Sequence, residues 1–159
     1  MEAAMSKNLL REAKLFLNKQ QFLTTGTVDR QGKPHVSPKL LLKAAEKYIY
    51  IADYQVKSTY NNLKINPNIS VCSFNIVEVF GYHIYGKAQI IERGTMYKNL
   101  LRDWQEGQTS RQVDKIIEDV RGECNMRSLK LTFLKPVVIY KVKISSVQKV
   151  DSRGLLEPA

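Results

Sequence analysis

The triplet Lys57-Ser58-Thr59 is the part of the sequence whose residue types best suit the binding of a ligand. A strand is predicted to end just before this triplet, and a short helix to begin at Ser58 or Thr59. An ammonium group, two hydroxyls and the free N–H groups of the first helical turn would then converge, which suits a phosphomonoester. The alternative is that Ser58 caps the helix while Lys57 is solvated.

Motifs typical of several other chemistries are missing from the sequence. His35 and His83 have no cysteine or acidic residue at the spacing of a metal site, so we predict no bound metal. The sequence has no G-x-S-x-G elbow, no G-x-x-x-x-G-K-[ST] loop and no G-x-G-x-x-G motif, which disfavours hydrolysis and the use of nucleoside triphosphates. Cys72 and Cys124 stand outside any Cys-x-x-Cys pattern and are expected to be free thiols.

Length and charge bound the class of protein. The 159 residues predict one domain, covering 1–159. The chain has no apolar run near the roughly 18 residues of a membrane span and no secretory-signal pattern, so we expect a cytoplasmic protein with no membrane partner. The net charge of +10 is spread as +5 over 1–50, +2 over 51–100 and +3 over 101–159. Because a nucleic-acid groove concentrates its charge, we expect a solvated basic surface and no nucleic acid.

Hydrophobic periodicity predicts a mixed chain with many strands. Predicted helices cover about 6–20 and about 58–65, the second ending before Asn66, and a helical hairpin covers about 95–122 with a break at 107–110. Predicted strands cover about 22–28, 34–42, 48–52, 69–75, 80–91, 129–133 and 137–142. A bulge is expected near Pro38, because proline lacks a backbone donor. Short turns between most strands favour an α+β fold with an antiparallel barrel over a parallel sheet.

Several short motifs follow one another in a characteristic order. They are Asp29 with Gly32, Pro34-His35, Lys57-Ser58-Thr59, Asn62-Leu63 with Asn66-Pro67, and Gly86-Lys87-Ala88. In this order they resemble the flavin-binding split-barrel family typified by pyridoxamine 5′-phosphate oxidase. The resemblance covers roughly 22–91 and, more loosely, 136–151. It implies an α+β fold in which an antiparallel split β-barrel of about six to seven strands is flanked by helices.

The same resemblance implies FMN as cofactor, bound at the subunit interface of a homodimer. The residues that it assigns to the phosphate are Lys57, Ser58, Thr59 and Asn62. The residues that it assigns to the ring and the ribityl chain are Ser37, Pro38, Lys39, Leu40, Ala52 and Asp53. Tyr82, His83 and Tyr85 would approach the ring from the second subunit, the alternative for each being a place in the core or the interface.

One of these residues has an electrostatic role in this interpretation. Reduced flavin gathers negative charge near N1 and the C2 oxygen, so a nearby lysine would raise its potential. Lys39 is the candidate for that charge, and a side chain directed to solvent is the alternative.

The function implied is that of a flavin-dependent oxidoreductase acting on a small-molecule substrate or electron donor. A non-catalytic FMN-binding or electron-transfer module is an alternative, because no acid or base is evident near the site. A basic nucleic-acid-binding barrel is supported by net charge alone. Some relatives bind haem or a deazaflavin, and His35 or His83 could then ligate iron.

Two features separate this sequence from the oxidases that give the family its name. The resemblance would require an arginine near Ser37 and an Arg-His segment near the C-terminus to hold pyridoxal phosphate, and neither is present. Oxidation of vitamin B6 is therefore disfavoured. The helical insert at about 95–122 either shapes a different substrate pocket or extends the dimer contact.

Overall fold

A computed structural model describes residues 7–120, 136–151 and 156–157, with side chains for 7–107 and 136–151. The three helices are α1 (Lys7–Leu17), α2 (Ser58–Ile65) and α3 (Thr95–Val120). The strands are β1 (Phe22–Val28), β2 (Pro34–Ala45), β3 (Tyr48–Asp53), β4 (Asn68–Asn75), β5 (Phe80–Ile91), β6 (Val138–Val150) and β7 (Leu156–Glu157). None of the described helices combines the length and the hydropathy needed to cross a bilayer.

Six of the strands close into an antiparallel barrel. The strand order is β3-β2-β1-β4-β5-β6, and β6 pairs back onto β3 to complete the ring. The two-residue β7 extends the sheet along the end of β6, where Val150 pairs with Leu156. Closure pairs β3 with both β2 and β6, whereas the first half of β2, residues 34–39, pairs only with β1.

The barrel interior is filled by one apolar cluster, because every strand alternates inward and outward side chains. Ile49 and Ile51 of β3 and Val142 of β6 are among its fully buried members. The amphipathic helix α1 covers the end of the barrel near Tyr82, and its buried face carries Phe16. The core is therefore shared between the barrel and the face of α1.

Helix α2 covers the opposite end of β5. The Tyr60 hydroxyl of α2 donates to a Glu92 Oε1 at 2.7 Å, next to the end of that strand. The helix has eight residues and a buried face made of Thr59, Asn62 and Leu63. Two of these three residues are polar, so α2 brings hydrogen-bonding groups to this end of the barrel interior.

Helix α3 lies against the outside of the barrel. Leu100 and Leu101 pack on Ile139 of β6 and Ile91 of β5, and Trp104 packs on the neighbouring strands β2 and β3. The Tyr97 hydroxyl donates to the Pro136 carbonyl at 2.6 Å, which fixes the start of the helix to the segment before β6. This helix therefore covers part of the outer sheet surface.

The predicted α+β class with an antiparallel split barrel is confirmed, with six strands in the ring. The predicted helical hairpin at 95–122 is wrong, because α3 is continuous through Gly107. One glycine in a helix costs only about 1 kcal/mol relative to alanine, too little to break a 26-residue helix. The register shift of β2 falls between Leu41 and Lys43 rather than near Pro38. The predicted strand at 129–133 and Cys124 lie outside the described residues.

Candidate functional site

The N-terminus of α2 presents an exposed cation and an exposed hydroxyl. The N-cap position is occupied by Lys57, whose side chain makes no capping hydrogen bond, so Ser58 begins the helix and does not cap it. Both residues are exposed. The N–H groups of a first helical turn have no partner within the helix, and the helix dipole adds positive potential there. The ammonium, the hydroxyl and these N–H groups can donate hydrogen bonds to an anionic oxygen of a ligand.

A row of hydroxyl and amide groups fastens α2 to the barrel beneath it. The Thr59 and Ser37 hydroxyls lie 3.1 Å apart, and the Asn62 amide donates to the Thr27 hydroxyl at 3.1 Å. Thr59 and Asn62 are buried, with 2% and 5% of their surface exposed. The family resemblance implies that Ser37, Thr59 and Asn62 bind the cofactor; in the structure their side chains bond within the protein and hold the helix that carries Lys57.

A buried ion pair connects β2 to the end of β3. The Lys39 ammonium lies 2.7 Å from Asp53 Oδ2, and both side chains are nearly buried. The Tyr140 hydroxyl donates to the same oxygen at 3.2 Å. Burial and the adjacent carboxylate hold the pKa of Tyr140 far above its ordinary value, so this hydroxyl stays protonated. The Lys39 ammonium therefore lies against Asp53 and is mostly shielded from solvent.

Asp53 also shapes the segment that leads to α2. Its Oδ1 accepts the Gln55 backbone N–H at 3.2 Å, and its backbone carbonyl accepts the Val137 N–H at 2.8 Å. An Asp side chain that bonds the backbone two residues on is typical of a tight turn. The ion pair with Lys39 thus fixes the turn from β3 toward Lys57.

An indole covers the outer surface that the sequence assigns to the flavin ring. Leu40 and Ala52 are buried in a small cluster with Trp104 of α3, and Tyr54 packs against the same cluster. Pro38, on the same outer side of β2, remains exposed next to this cluster. Sequence reasoning missed Trp104 as a site residue: its four-residue spacing from Leu100 predicted an apolar stripe, but nothing local told which strands the stripe would cover.

The three ring-bearing residues of β5 separate onto two sides of the barrel wall. Tyr82 points inward, is 3% exposed and packs edge-on against Phe16 of α1. His83 and Tyr85 point outward with ring centroids 4.4 Å apart, and the Tyr85 hydroxyl lies 3.4 Å from His83 Nδ1. Partial burial lowers the pKa of His83, because desolvation disfavours the imidazolium.

His83 belongs to a row of cross-strand neighbours on the outer face of the barrel. Strand pairing sets Pro38 beside Thr24, Thr24 beside Cys72, and Cys72 beside His83. Partial burial raises the pKa of the Cys72 thiol, which keeps it protonated near neutral pH. Large exposed apolar side chains that surround this row are Phe22, Val36, Phe74 and Tyr85. We call this surface the open sheet face.

The geometry therefore divides the thirteen predicted site residues. Those that remain accessible are Pro38, Lys57, Ser58, His83 and Tyr85. Those that are bonded or packed within the protein are Ser37, Lys39, Leu40, Ala52, Asp53, Thr59, Asn62 and Tyr82. Among the residues that the structure describes, no cluster of three or more His, Cys, Asp or Glu side chains could hold a metal ion.

The fold and this arrangement define an α+β split-barrel protein in which one helix begins at an exposed, uncapped N-terminus. The family model for pyridoxamine 5′-phosphate oxidase matches residues 9–148, which is most of the chain. The chain belongs to this family. Comparison with curated proteins gives no significant match.

Solved structures with the same fold cover nearly the whole chain. A Clostridium acetobutylicum protein related to general stress protein 26 of B. subtilis has a TM-score of 0.67 at 13% identity, covering 97% of this chain and 96% of its own. HupZ from Group A Streptococcus has a TM-score of 0.64 at 19% identity, with 94% and 97% covered. An FMN-binding protein from Syntrophomonas wolfei has a TM-score of 0.60 at 17% identity, with 91% and 88% covered. At these identities the likeness shows the fold.

Proposed function

We propose that this protein is an FMN-binding flavoprotein, a flavin-dependent oxidoreductase that acts as a homodimer. The observation that carries the proposal is the exposed pair Lys57 and Ser58 at an uncapped helix N-terminus. Membership of the pyridoxamine 5′-phosphate oxidase family supports it, as does the FMN-binding protein among the structures of the same fold. Family membership alone does not assign a substrate.

The phosphate of FMN would be held by the Lys57 ammonium, the Ser58 hydroxyl and the N–H groups of the first turn of α2. All three are donors, and a phosphate oxygen is an acceptor, so the chemistry of the donor set fits the group. Thr59 and Asn62 contribute indirectly, because their hydrogen bonds to Ser37 and Thr27 hold the helix in place. The Lys39–Asp53 pair contributes in the same way by fixing the turn before Lys57.

The isoalloxazine ring needs an apolar wall, and the outer side of β2 provides one at Val36 and Pro38. Both residues are exposed, whereas Leu40 on the same side is covered by Trp104. We therefore propose that the ring lies over Val36 and Pro38 with Trp104 at the boundary of its site. In this arrangement Leu40 and Ala52 support Trp104 and do not contact the ring.

The second subunit would cover the ring with its open sheet face. Four large apolar side chains exposed on one face are unusual for a monomer that stays alone in water. His83 and Tyr85 lie on that face, so pairing two copies can bring them to the other subunit's ring. Homodimers with the same patch on both subunits are the commonest closed assembly.

Bound FMN would supply the transfer of a hydride or of single electrons, and the protein residues orient and shield the reactants. His83 is an accessible titratable group of this site, and its lowered pKa keeps the imidazole neutral near neutral pH, so the ring can accept a proton. Its Nδ1 faces the Tyr85 hydroxyl, which leaves Nε2 to exchange a proton with a substrate. The reaction partner would be a small-molecule substrate or electron donor.

A non-catalytic FMN-binding module is the second candidate. It is favoured by the pairing of Lys39 with Asp53, which removes the charge expected to tune the flavin and leaves the site with few ionisable groups. Anaerobic mixing with NADH, with NADPH and with dithionite separates the two candidates. Bleaching by a nicotinamide donor supports the oxidoreductase, whereas bleaching by dithionite alone supports the module.

The direct test of cofactor identity is the visible spectrum of the purified protein before and after incubation with excess FMN and desalting. We expect flavin absorption bands at about one FMN per chain. A Soret band would instead indicate haem, and a deazaflavin would show a shorter-wavelength band. A protein that stays colourless after FMN, haem and deazaflavin incubation would overturn the proposal.

A further inference from the structure

A second surface of the barrel carries regularly arranged lysines and tyrosines. It lies on the outer side of four adjacent strands, β2, β3, β6 and β5. Its members, which we call the lysine–tyrosine face, are Lys43, Tyr48, Tyr50, Lys87, Lys141 and Lys143. This face belongs to neither the open sheet face nor the proposed phosphate site.

Strand register sets these side chains in two parallel rows. In the first row, Tyr50 pairs with Lys43 on one side and with Lys141 on the other. In the second row, Lys143 pairs with Tyr48 on one side and with Lys87 on the other. Neighbouring strands lie about 4.8 Å apart and alternate residues of one strand about 6.7 Å apart, so four ammonium groups share a small area.

The charges of this face are largely uncompensated. Among the residues that the structure describes, Lys87, Lys141 and Lys143 form no ion pair, and Lys43 has only a 3.9 Å contact with exposed Asp103. The direct pairing of Lys87 with Lys143 sets like charges opposite each other, which is unfavourable without a counter-charge. An anionic partner would relieve this repulsion.

The two tyrosine rings lie among the lysines and are partly accessible. The Lys141 ammonium lies 4.3 Å from the centre of the Tyr48 ring, and the Lys43 ammonium lies 5.8 Å from that of Tyr50. A stacked base can take the place of the ammonium on such a ring, while the ammonium moves onto a phosphate. A flat acidic protein surface has no base that could stack on the two tyrosine rings.

A cavity of about 540 Å³ adjoins this face between β2, β3 and α3. Tyr50 and Lys43 form its side toward the sheet, and Thr95, Met96, Asn99, Leu100 and Asp103 form its side toward α3. An aromatic wall, an apolar floor and the amide of Asn99 suit a nucleobase, whose edge needs both donors and acceptors.

We propose that the lysine–tyrosine face binds single-stranded nucleic acid, with the backbone following the lysines and one base entering the adjoining cavity. This face cannot be recognised from the sequence, where charge is evenly spread, because its lysines come from three distant segments of the chain. Barrel closure brings β3 beside β6 and so collects them. This proposal is independent of FMN binding, and either can fail alone.

The test is fluorescence anisotropy with labelled twelve-nucleotide oligo-dT and oligo-U over a series of salt concentrations. Four phosphate contacts predict that the logarithm of the binding constant falls with the logarithm of salt at a slope of about −3. The charge-reversing K141E/K143E variant is expected to bind at least tenfold more weakly and with about half that slope. The Y48A/Y50A variant is expected to bind at least threefold more weakly with the wild-type slope.

The matched control is K7E/K33E, which changes net charge equally but lies on α1 and in the β1–β2 turn. It is expected to keep affinity within threefold of the wild type, and far-ultraviolet circular dichroism checks that every variant folds. Equal losses in K7E/K33E and K141E/K143E would reduce the binding to net charge and overturn the proposal. The absence of binding at low salt would also overturn the proposal. Competition by polyglutamate as strong as that by unlabelled oligonucleotide would overturn it too, and would indicate an acidic protein partner.

Discussion

The Lys39 ammonium and the Asp53 carboxylate lie 2.7 Å apart beneath the turn that leads into α2. Each is held by a different strand, and the carboxylate also bonds the Tyr140 hydroxyl and the Gln55 backbone. The pair therefore links the barrel interior to the position of Lys57. Its charges act within the protein, whereas the Lys57 ammonium is exposed at the start of α2.

Removing one partner of this pair is expected to destabilise the fold. K39M leaves the carboxylate without its counter-ion in a nearly buried place, which costs about 3 kcal/mol in the free energy of unfolding. D53N likewise leaves the Lys39 ammonium without its counter-ion in a nearly buried place. The K39M/D53N double variant is expected to regain at least half of the loss, as measured by urea denaturation. Additive losses in the double variant would show that the two side chains are not coupled.

Truncating Trp104 tests its place at the boundary of the ring site. W104A uncovers Leu40 and Ala52 and leaves a cavity, so the free energy of unfolding is expected to fall by about 3 kcal/mol. Affinity for FMN, measured by titration at a temperature where the variant is folded, is expected to fall at least fivefold. The control Y97F removes the hydrogen bond to Pro136 at the far end of the α3 contact and should leave FMN affinity unchanged. Unchanged affinity in W104A would place the ring elsewhere.

His83 should make stability depend on pH. Its pKa is lowered in the folded protein, so the unfolded chain binds more protons at this ring at pH values between the lowered pKa and about 6.5. The free energy of unfolding therefore decreases as the pH falls through that interval, and the contribution is fully present above it. H83Q is expected to flatten the change in urea midpoint over this range, whereas Y85F should retain it. A wild-type slope in H83Q would refute the assignment.

The open sheet face should be required for both assembly and flavin retention. F22D/F74D introduces two charges where 50% and 42% of the native side chains are exposed, so folding should be little affected while pairing is blocked. We expect a monomer by light scattering and loss of FMN on desalting. The control L15D changes an exposed apolar residue of α1 and should remain dimeric with FMN bound. A monomeric variant that keeps its flavin would contradict a site shared between subunits.

Much of this fold follows from local sequence pattern. Alternation along β5 correctly separates Tyr82 from His83 and Tyr85, because the period of a strand fixes which side chains share a face. Alternation does not tell which face meets the core, so the sequence leaves open whether Tyr82 approaches the flavin or lies in the core; in the structure it packs against Phe16. The alternation along a strand indicates which side chains share a face. Only the closed barrel shows which of the two faces points to its interior.

Long-range pairing accounts for what the sequence could not predict. Lys39 and Asp53 are fourteen positions apart, and no local signal marks them as partners. The sequence places Trp104 in an apolar stripe, but its packing on Leu40 depends on how α3 lies across β2 and β3. The lysine–tyrosine face likewise exists only after β3 pairs with β6.

The most direct test of the proposed phosphate site compares the dissociation constants of FMN and riboflavin for the wild-type protein and for K57E. Because K57E sets a negative charge beside the phosphate, FMN should bind at least tenfold more weakly, a loss of about 1.4 kcal/mol. Riboflavin, which lacks the phosphate, should bind both proteins alike, and the control K33E should match the wild type within twofold. Equal FMN affinity in K57E and the wild type would contradict a phosphate site at the start of α2.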